Sequence, residues 1–131
     1  MGRVGVFREA MKAAEALVFV KNKLNRPVLA YGGAVTEAAI RKVALCGGAG
    51  TSFMAEAAAA GADMFVTGDM KYHDAQEAEK EGILLVDGGH YGTEFPVVFE
   101  LQRILSAAGG EKNWHVDFIV DSTSKDFISY I

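Results

Sequence analysis

Cysteine and positive charge are both scarce in this sequence. Cys46 is the only cysteine among 131 residues, which excludes an intrachain disulfide and a zinc site built from cysteines. The chain has 13 Lys and Arg against 17 Asp and Glu, its net charge is -4, and the basic residues are scattered. A protein that binds duplex nucleic acid carries a basic patch, so we expect no nucleic-acid partner.

The beginning of the chain also lacks a long apolar run. Charged residues interrupt the first twenty positions, namely Arg3, Arg8, Glu9, Lys12 and Glu15. This segment therefore predicts neither a signal peptide nor a membrane span. The lone cysteine fits a reducing compartment, and we expect a soluble cytoplasmic protein that has no membrane partner.

Apolar residues, in contrast, are plentiful. They make up 50% of the chain and include eight Phe and one Trp, which provides a sizeable core and excludes intrinsic disorder. A length of 131 residues is typical of one compact unit, so we expect a single domain over residues 1–131.

The spacing of the apolar residues predicts helices that alternate with strands. An amphipathic helix is expected over residues 8–24, ended by Asn25 and Pro27, and residues 28–31 suit an edge strand. Further strands are predicted over 40–46, 64–67, 83–86 and 114–120, and further helices over 53–60, 72–81 and 93–108. With a core over residues 40–121, this order predicts an α/β fold of three layers, in which helices flank a mostly parallel sheet.

Polar residues and glycines follow the predicted strands at one edge of this sheet, where ligand crevices form. The segment 88–94 places His90 and Glu94 one helical turn apart, so that imidazole and carboxylate converge on one face. These donors suit zinc, manganese or iron. A histidine four residues before a glutamate is also common on ordinary helix surfaces, and two donors fall short of the three or four that a stable site needs.

The segment 67–73 brings a second group of polar residues to the same edge. Here His73 is a candidate for proton transfer and Asp69 for supporting an imidazole. The alternative is that Asp69 caps a helix and His73 is simply solvated. The glycine-rich turn over residues 46–52 lacks the spacing of a phosphate-binding loop, which favours a plain tight turn.

Three blocks of sequence resemble one protein family. They are Val43-Ala-Leu-Cys-Gly-Gly-Ala-Gly-Thr-Ser52, Gly61-Ala-Asp-Met-Phe-Val-Thr-Gly-Asp-Met-Lys-Tyr-His73 and Asp87-Gly-Gly-His-Tyr-Gly-Thr-Glu94. In this order and spacing they are similar to the dinuclear-metal-centre proteins, which are YbgI/YqfO-like or Nif-three-like and are often named GTP cyclohydrolase I type 2 homologs. The resemblance covers nearly the whole chain.

The resemblance implies that His90 and Glu94 are metal ligands and that Asp69 and His73 line the same pocket. Members of the family are about twice this length or more, and their remaining ligands come from an N-terminal half that this sequence does not contain. The resemblance also implies a closed homo-oligomer, and a separate polypeptide that supplies the N-terminal half is the second candidate partner, which the sequence leaves open.

Two classes of function follow. The first is a metal-dependent hydrolase, or one half of it, in which metal ions activate a water and His73 or Asp69 moves a proton. The second is a non-catalytic module that associates with itself or with another protein and has an incomplete metal site. The sequence leaves the substrate and the metal open.

Overall fold

The computed structural model describes residues 2–34 and 39–131, and three adjacent parallel strands form its centre. These are β3 (Ile40–Ala49), β4 (Met64–Gly68) and β5 (Leu84–Asp87). Every residue of β4 and the first three of β5 are buried. Such continuous burial is typical of parallel strands that are covered on both faces, and it explains why these three strands could be predicted.

Antiparallel strands at the two edges complete a five-stranded sheet of order β1-β3-β4-β5-β2. β1 (Arg3–Met11) pairs with β3, and β2 (Ala30–Gly33) pairs with β5. The sheet is therefore mixed rather than mostly parallel. Whether an edge strand runs parallel or antiparallel to its neighbour depends on the connection that leads into it. The spacing of apolar residues gives no information about that connection.

Helices cover both faces of the sheet. On one face lies α1 (Ala13–Lys23), which buries Ala16 and Val20 against Met64 and Leu84. On the other face lie α2 (Met54–Ala59), which follows a short 3-10 turn, and α3 (Tyr72–Glu81). Their buried contacts with the sheet are made by Met54, Ala57 and Ala78 against Phe65 and Leu85. The three-layer α/β class predicted from the sequence is confirmed.

The N-terminal helix begins later than predicted. Residues 8–11 belong to β1, where Val6 pairs with Lys42 and Met11 pairs with Ile40 across a bulge. The helix starts only at Ala13. Pairing with β3 overrides the helical spacing of these residues, because a ladder with a central strand gives the backbone its hydrogen bonds.

The C-terminal helix is divided in two and is longer than predicted. It consists of α4 (His90–Glu94) and α5 (Pro96–Glu111), with Pro96 as the first residue of the second helix. Gly109 lies inside α5, where the first carbon of a side chain would lie only 3.3 Å from the Phe118 ring. This glycine therefore lets an aromatic ring approach the helix.

The strand predicted over residues 114–120 does not form. This segment has no regular structure and packs on α5, where Gln102 Nε2 donates a hydrogen bond of 2.8 Å to the Phe118 carbonyl. The half-buried Phe118 and Val120 alternate with exposed residues. That alternation, which is typical of a strand, here serves packing on a helix. Across the described ranges, no helix combines the length and the apolar character that crossing a membrane requires.

Candidate metal centre

Three of the four predicted site residues meet at the carboxyl edge of the sheet. His90 and Glu94 are the first and last residues of α4, and Asp69 directly follows β4. The Nδ1 atom of His90 lies 2.6 Å from Asp69 Oδ2, and its Nε2 atom lies 3.3 Å from Glu94 Oε2. One imidazole thus has a carboxylate at each ring nitrogen.

The two contacts of His90 have different consequences. A carboxylate only accepts hydrogen bonds, so the contact with Asp69 places a proton on Nδ1 and leaves the lone pair on Nε2 of the neutral ring. Metal-binding histidines are oriented by carboxylates in this way. Two donors about 2.1 Å from a tetrahedral zinc ion are about 3.4 Å apart, and the distance of 3.3 Å between Nε2 and the Glu94 carboxylate fits that requirement.

The same two carboxylates change the acidity of the ring. The hydrogen bond to Asp69 and the negative charge of Glu94 raise the pKa of His90 above its ordinary value. The three side chains are roughly half exposed, at 49% for His90, 42% for Asp69 and 55% for Glu94. The site is therefore open to solvent on this chain.

Asp87, the last residue of β5, joins the two loops that carry the site. One carboxylate oxygen accepts the Met70 N–H at 2.9 Å, and the other accepts the Gly89 N–H at 2.7 Å. Met70 follows Asp69, and Gly89 precedes His90, so this one side chain holds both partners of the imidazole contact in place. Sequence reasoning placed Asp87 at this edge without giving it a role.

The backbone of Asp69 has an unusual conformation. Its φ is +59°, in the left-handed region that few residues other than glycine adopt. Such a conformation persists only where neighbouring contacts hold it, and it is frequent at functional sites. Here the N–H of the next residue, Met70, donates to Asp87, and the Asp69 carboxylate itself accepts from His90 Nδ1.

The glycine-rich turn at the end of β3 forms a wall of the site. Gly48 has a φ of +66°, and a side chain there would place its first carbon 2.5 Å from Glu94 Oε1. The Gly48 N–H donates to Thr93 Oγ1 at 3.0 Å, and the Gly50 N–H donates to the buried Thr67 Oγ1 at 2.9 Å. These two amides are already bonded, so they are not free to hold a phosphate, and the turn predicted over residues 46–52 begins later than expected because residues 46–49 belong to β3.

His73 lies on the first turn of α3 and takes no part in the hydrogen bonds of the other three. Its Nδ1 atom is 2.9 Å from Gln76 Oε1, and among the described residues no hydrogen bond or ion pair joins it to His90. Within residues 2–34 and 39–131, no group of three or more His, Cys, Asp and Glu is arranged to hold a metal ion. The chain thus presents the His90 and Glu94 pair with Asp69 behind it.

Comparison with known proteins gives consistent matches along the chain. A protein of Clostridium perfringens named GTP cyclohydrolase 1 type 2 homolog is 30% identical over 131 residues, which are 100% of this chain and 48% of that protein. The protein of the same name from Bacillus subtilis is 33% identical and is covered over 35% of its length. The crystal structure of Staphylococcus aureus protein SA1388 matches with a TM-score of 0.92 and 30% identity, over 100% of this chain and 42% of that one.

The chain therefore spans between about a third and half of the length of these relatives. Residues 1–126 match the family Duf34/NIF3 (NGG1p interacting factor 3). The sequence, the fold and the three blocks around the site agree with one another, and the chain belongs to the Duf34/NIF3 family.

Proposed function

We propose that this chain supplies one half of a metal centre. His90, through Nε2, and Glu94, through its carboxylate, are the two ligands, and Asp69 orients the imidazole. The observation that carries the proposal is the separation of 3.3 Å between the two donor atoms, combined with the hydrogen bond of 2.6 Å behind the ring. Zinc, manganese and iron all accept such donors.

The remaining ligands come from outside the chain in this proposal. Two donors are too few for a stable site, and the relatives contain at least as much chain again. A second copy that brings another His90 and Glu94, or a separate polypeptide with the other half of the relatives, would complete the set. We expect the assembly to be cytoplasmic.

In a completed site we propose metal-dependent hydrolysis. A bound divalent ion would lower the pKa of a water molecule and polarise the bond that the water attacks. Asp69 holds the imidazole proton at Nδ1 and so keeps Nε2 free for the ion. Transfer of a proton by Asp69 or His73 stays a prediction, and the Gln76 contact gives His73 a fixed orientation on the first turn of α3.

Substitution of the two ligands tests the proposal directly. We expect His90→Ala and Glu94→Ala each to weaken zinc binding at least about tenfold, because a pair of donors cannot lose one without losing the chelate. Isothermal titration calorimetry and elemental analysis measure the effect. His115→Ala, at an exposed histidine far along the chain, is the matched control. Equal zinc binding in all four proteins would contradict the assignment.

The pH dependence of binding follows from the raised pKa of His90. A proton on Nε2 blocks the metal, so affinity for the metal falls as the pH drops through this pKa, and the fall begins at a higher pH than for an ordinary histidine.

We expect Asp69→Asn to lower the His90 pKa in the metal-free protein, because this substitution removes the largest cause of the raised pKa. Titration of the imidazole signals by NMR measures this, and an unchanged midpoint would be the contrary result.

The role of Asp87 is tested against a second aspartate, which lies just before β4. Asp63 also accepts two backbone N–H groups, from Arg41 at 2.9 Å and Lys42 at 2.7 Å, but at the opposite edge. We expect both Asp87→Asn and Asp63→Asn to lower the free energy of unfolding by about 1–3 kcal/mol. Only Asp87→Asn should also weaken zinc binding about tenfold. A loss of zinc affinity of the same size in both variants would show a general effect of instability.

The second candidate function is an association module without catalysis. The observation that favours it is the apolar surface of α5, which the sheet does not cover. Val97, Leu101 and Ile104 share one face of this helix and are 55%, 49% and 47% exposed. An apolar patch of this kind on a helix is typical of an interface between proteins, and association through α5 would serve either function.

We therefore expect a homodimer or a higher closed oligomer, since two-fold pairing is the commonest closed form. Light scattering at micromolar concentration measures the mass. The pair of substitutions Leu101→Glu and Ile104→Glu should shift the mass towards the monomer, whereas Ser106→Glu, at an exposed position on the same helix, should leave it unchanged. A monomeric wild-type chain, with and without zinc, would contradict the assembly.

A further inference from the structure

A buried arginine lies directly beneath the helix that carries the two proposed ligands. Arg26 follows α1, and only 8% of its side chain is exposed. A side chain at Gly92 would place its first carbon 2.5 Å from Arg26 Cδ, and one at Gly89 would place it 3.0 Å from Arg26 Nη2. The guanidinium is thus in contact with both ends of the first turn of α4, and glycine at these two positions makes the contact possible.

The C-terminal residues hold this guanidinium in place. Asp126 Oδ2 accepts a hydrogen bond of 2.8 Å from Arg26 Nη1, and the Tyr130 ring centroid lies 5.0 Å from Arg26 Cζ. Burial alone lowers the pKa of Arg26, but Asp126 and Tyr130 outweigh it, and the guanidinium is held in its charged form. Asp126 is in turn fixed by the Ile128 N–H at 2.9 Å.

The same C-terminal segment also contacts α4 itself. The Tyr91 hydroxyl donates a hydrogen bond of 3.0 Å to the Ser124 carbonyl. We call residues 124–131 the C-terminal strap, because Ser124, Asp126 and Tyr130 contact α4 or Arg26. Phe127, within the strap, is 93% exposed. The strap has no regular secondary structure, so these polar and aromatic contacts determine its position.

Two nitrogens of the guanidinium, Nε and Nη2, are buried and have no hydrogen-bond partner among the described residues. Both are close to the positions that side chains at Gly89 and Gly92 would occupy, which leaves no room for a ligand between them and α4. A buried cation with unmade hydrogen bonds is costly and depends on its remaining partner. The hydrogen bond to Asp126 is therefore the contact on which the buried position of the guanidinium under α4 most depends.

We propose that Arg26 is a positioning residue for the metal centre and that the C-terminal strap acts through it. The strap contributes no ligand to the His90 and Glu94 pair. It holds the Arg26 guanidinium under Gly89 and Gly92. The guanidinium in turn holds α4 in the position, relative to Asp69 and the glycine-rich turn, at which His90 and Glu94 can bind one ion together. This inference rests on the proposed function for its metal readout, and on hydrogen exchange for a readout that is independent of metal.

The test uses Asp126→Asn in the full chain, with Asp117→Asn, at an exposed aspartate before the strap, as the control. Hydrogen exchange of the metal-free proteins reports on α4 through the Thr93 and Phe95 amides, which bond to the Gly89 and Tyr91 carbonyls. We expect exchange of these two amides to become at least tenfold faster in Asp126→Asn, with exchange in α3 unchanged. Equal rates in all proteins would overturn the proposal.

Zinc titration provides the second measurement. Asp126→Asn should weaken zinc binding about tenfold, the usual effect of losing a supporting group behind a ligand. In a chain that already carries Arg26→Met, Asp126→Asn should cause no further loss, because the strap acts through the guanidinium. A further tenfold loss of zinc affinity in the Arg26→Met background would overturn this mechanism. Faster hydrogen exchange in α4 of Asp126→Asn with unchanged zinc affinity would also overturn it.

The two proposals fail in different ways. If the wild-type chain and its assemblies bind no zinc, the proposed function is wrong, and hydrogen exchange alone decides whether the strap positions α4. If Asp126→Asn does not fold, Tyr130→Leu replaces it in the test, because this variant removes only the aromatic ring beside the guanidinium. The same increase in exchange at Thr93 and Phe95 is then expected, and its absence counts against the proposal.

Discussion

The hydrogen bonds of the Asp87 carboxylate are the interaction on which the site depends. Each oxygen holds the loop that follows a different parallel strand, through the Met70 and Gly89 amides. A buried or half-buried carboxylate that accepts two backbone N–H groups is a strong and directional link. Through this link the loop that carries Asp69 and the loop that carries His90 are held next to each other, where the two side chains are in contact.

The rest of the chain provides a rigid base for that link. β4 and β5 are buried between α1 on one face and α2 with α3 on the other, so their carboxyl ends cannot shift independently. This rigidity holds the unusual backbone of Asp69, whose φ of +59° needs support from its surroundings. Gly48 suits the close approach of the glycine-rich turn to Glu94, because its φ of +66° is strained for other residues and a side chain there would displace the Glu94 carboxylate.

Features encoded by local pattern could be predicted from the sequence, and features that depend on distant partners could not. The central strands and α3 follow from apolar runs and helix propensity, and the fold class follows from their order. β1 was missed because pairing with β3 overrides a helical spacing. The proximity of His90 and Glu94 follows from their one-turn spacing. Arg26 and Asp126 are 100 residues apart and carry no local signal.

The proposed site, built from two halves, has a thermodynamic consequence. When the ligands of one ion come from different chains or segments, the ion binds the assembled state and not the separate parts, so metal binding and assembly favour each other by mass action. The open, half-exposed pair on this chain suits that coupling, because a complete set of ligands on one segment would hold the ion without any partner. The position of α4 then affects two quantities. A shift of this helix would weaken metal binding, and through metal binding it would also weaken the assembly that the ion stabilises.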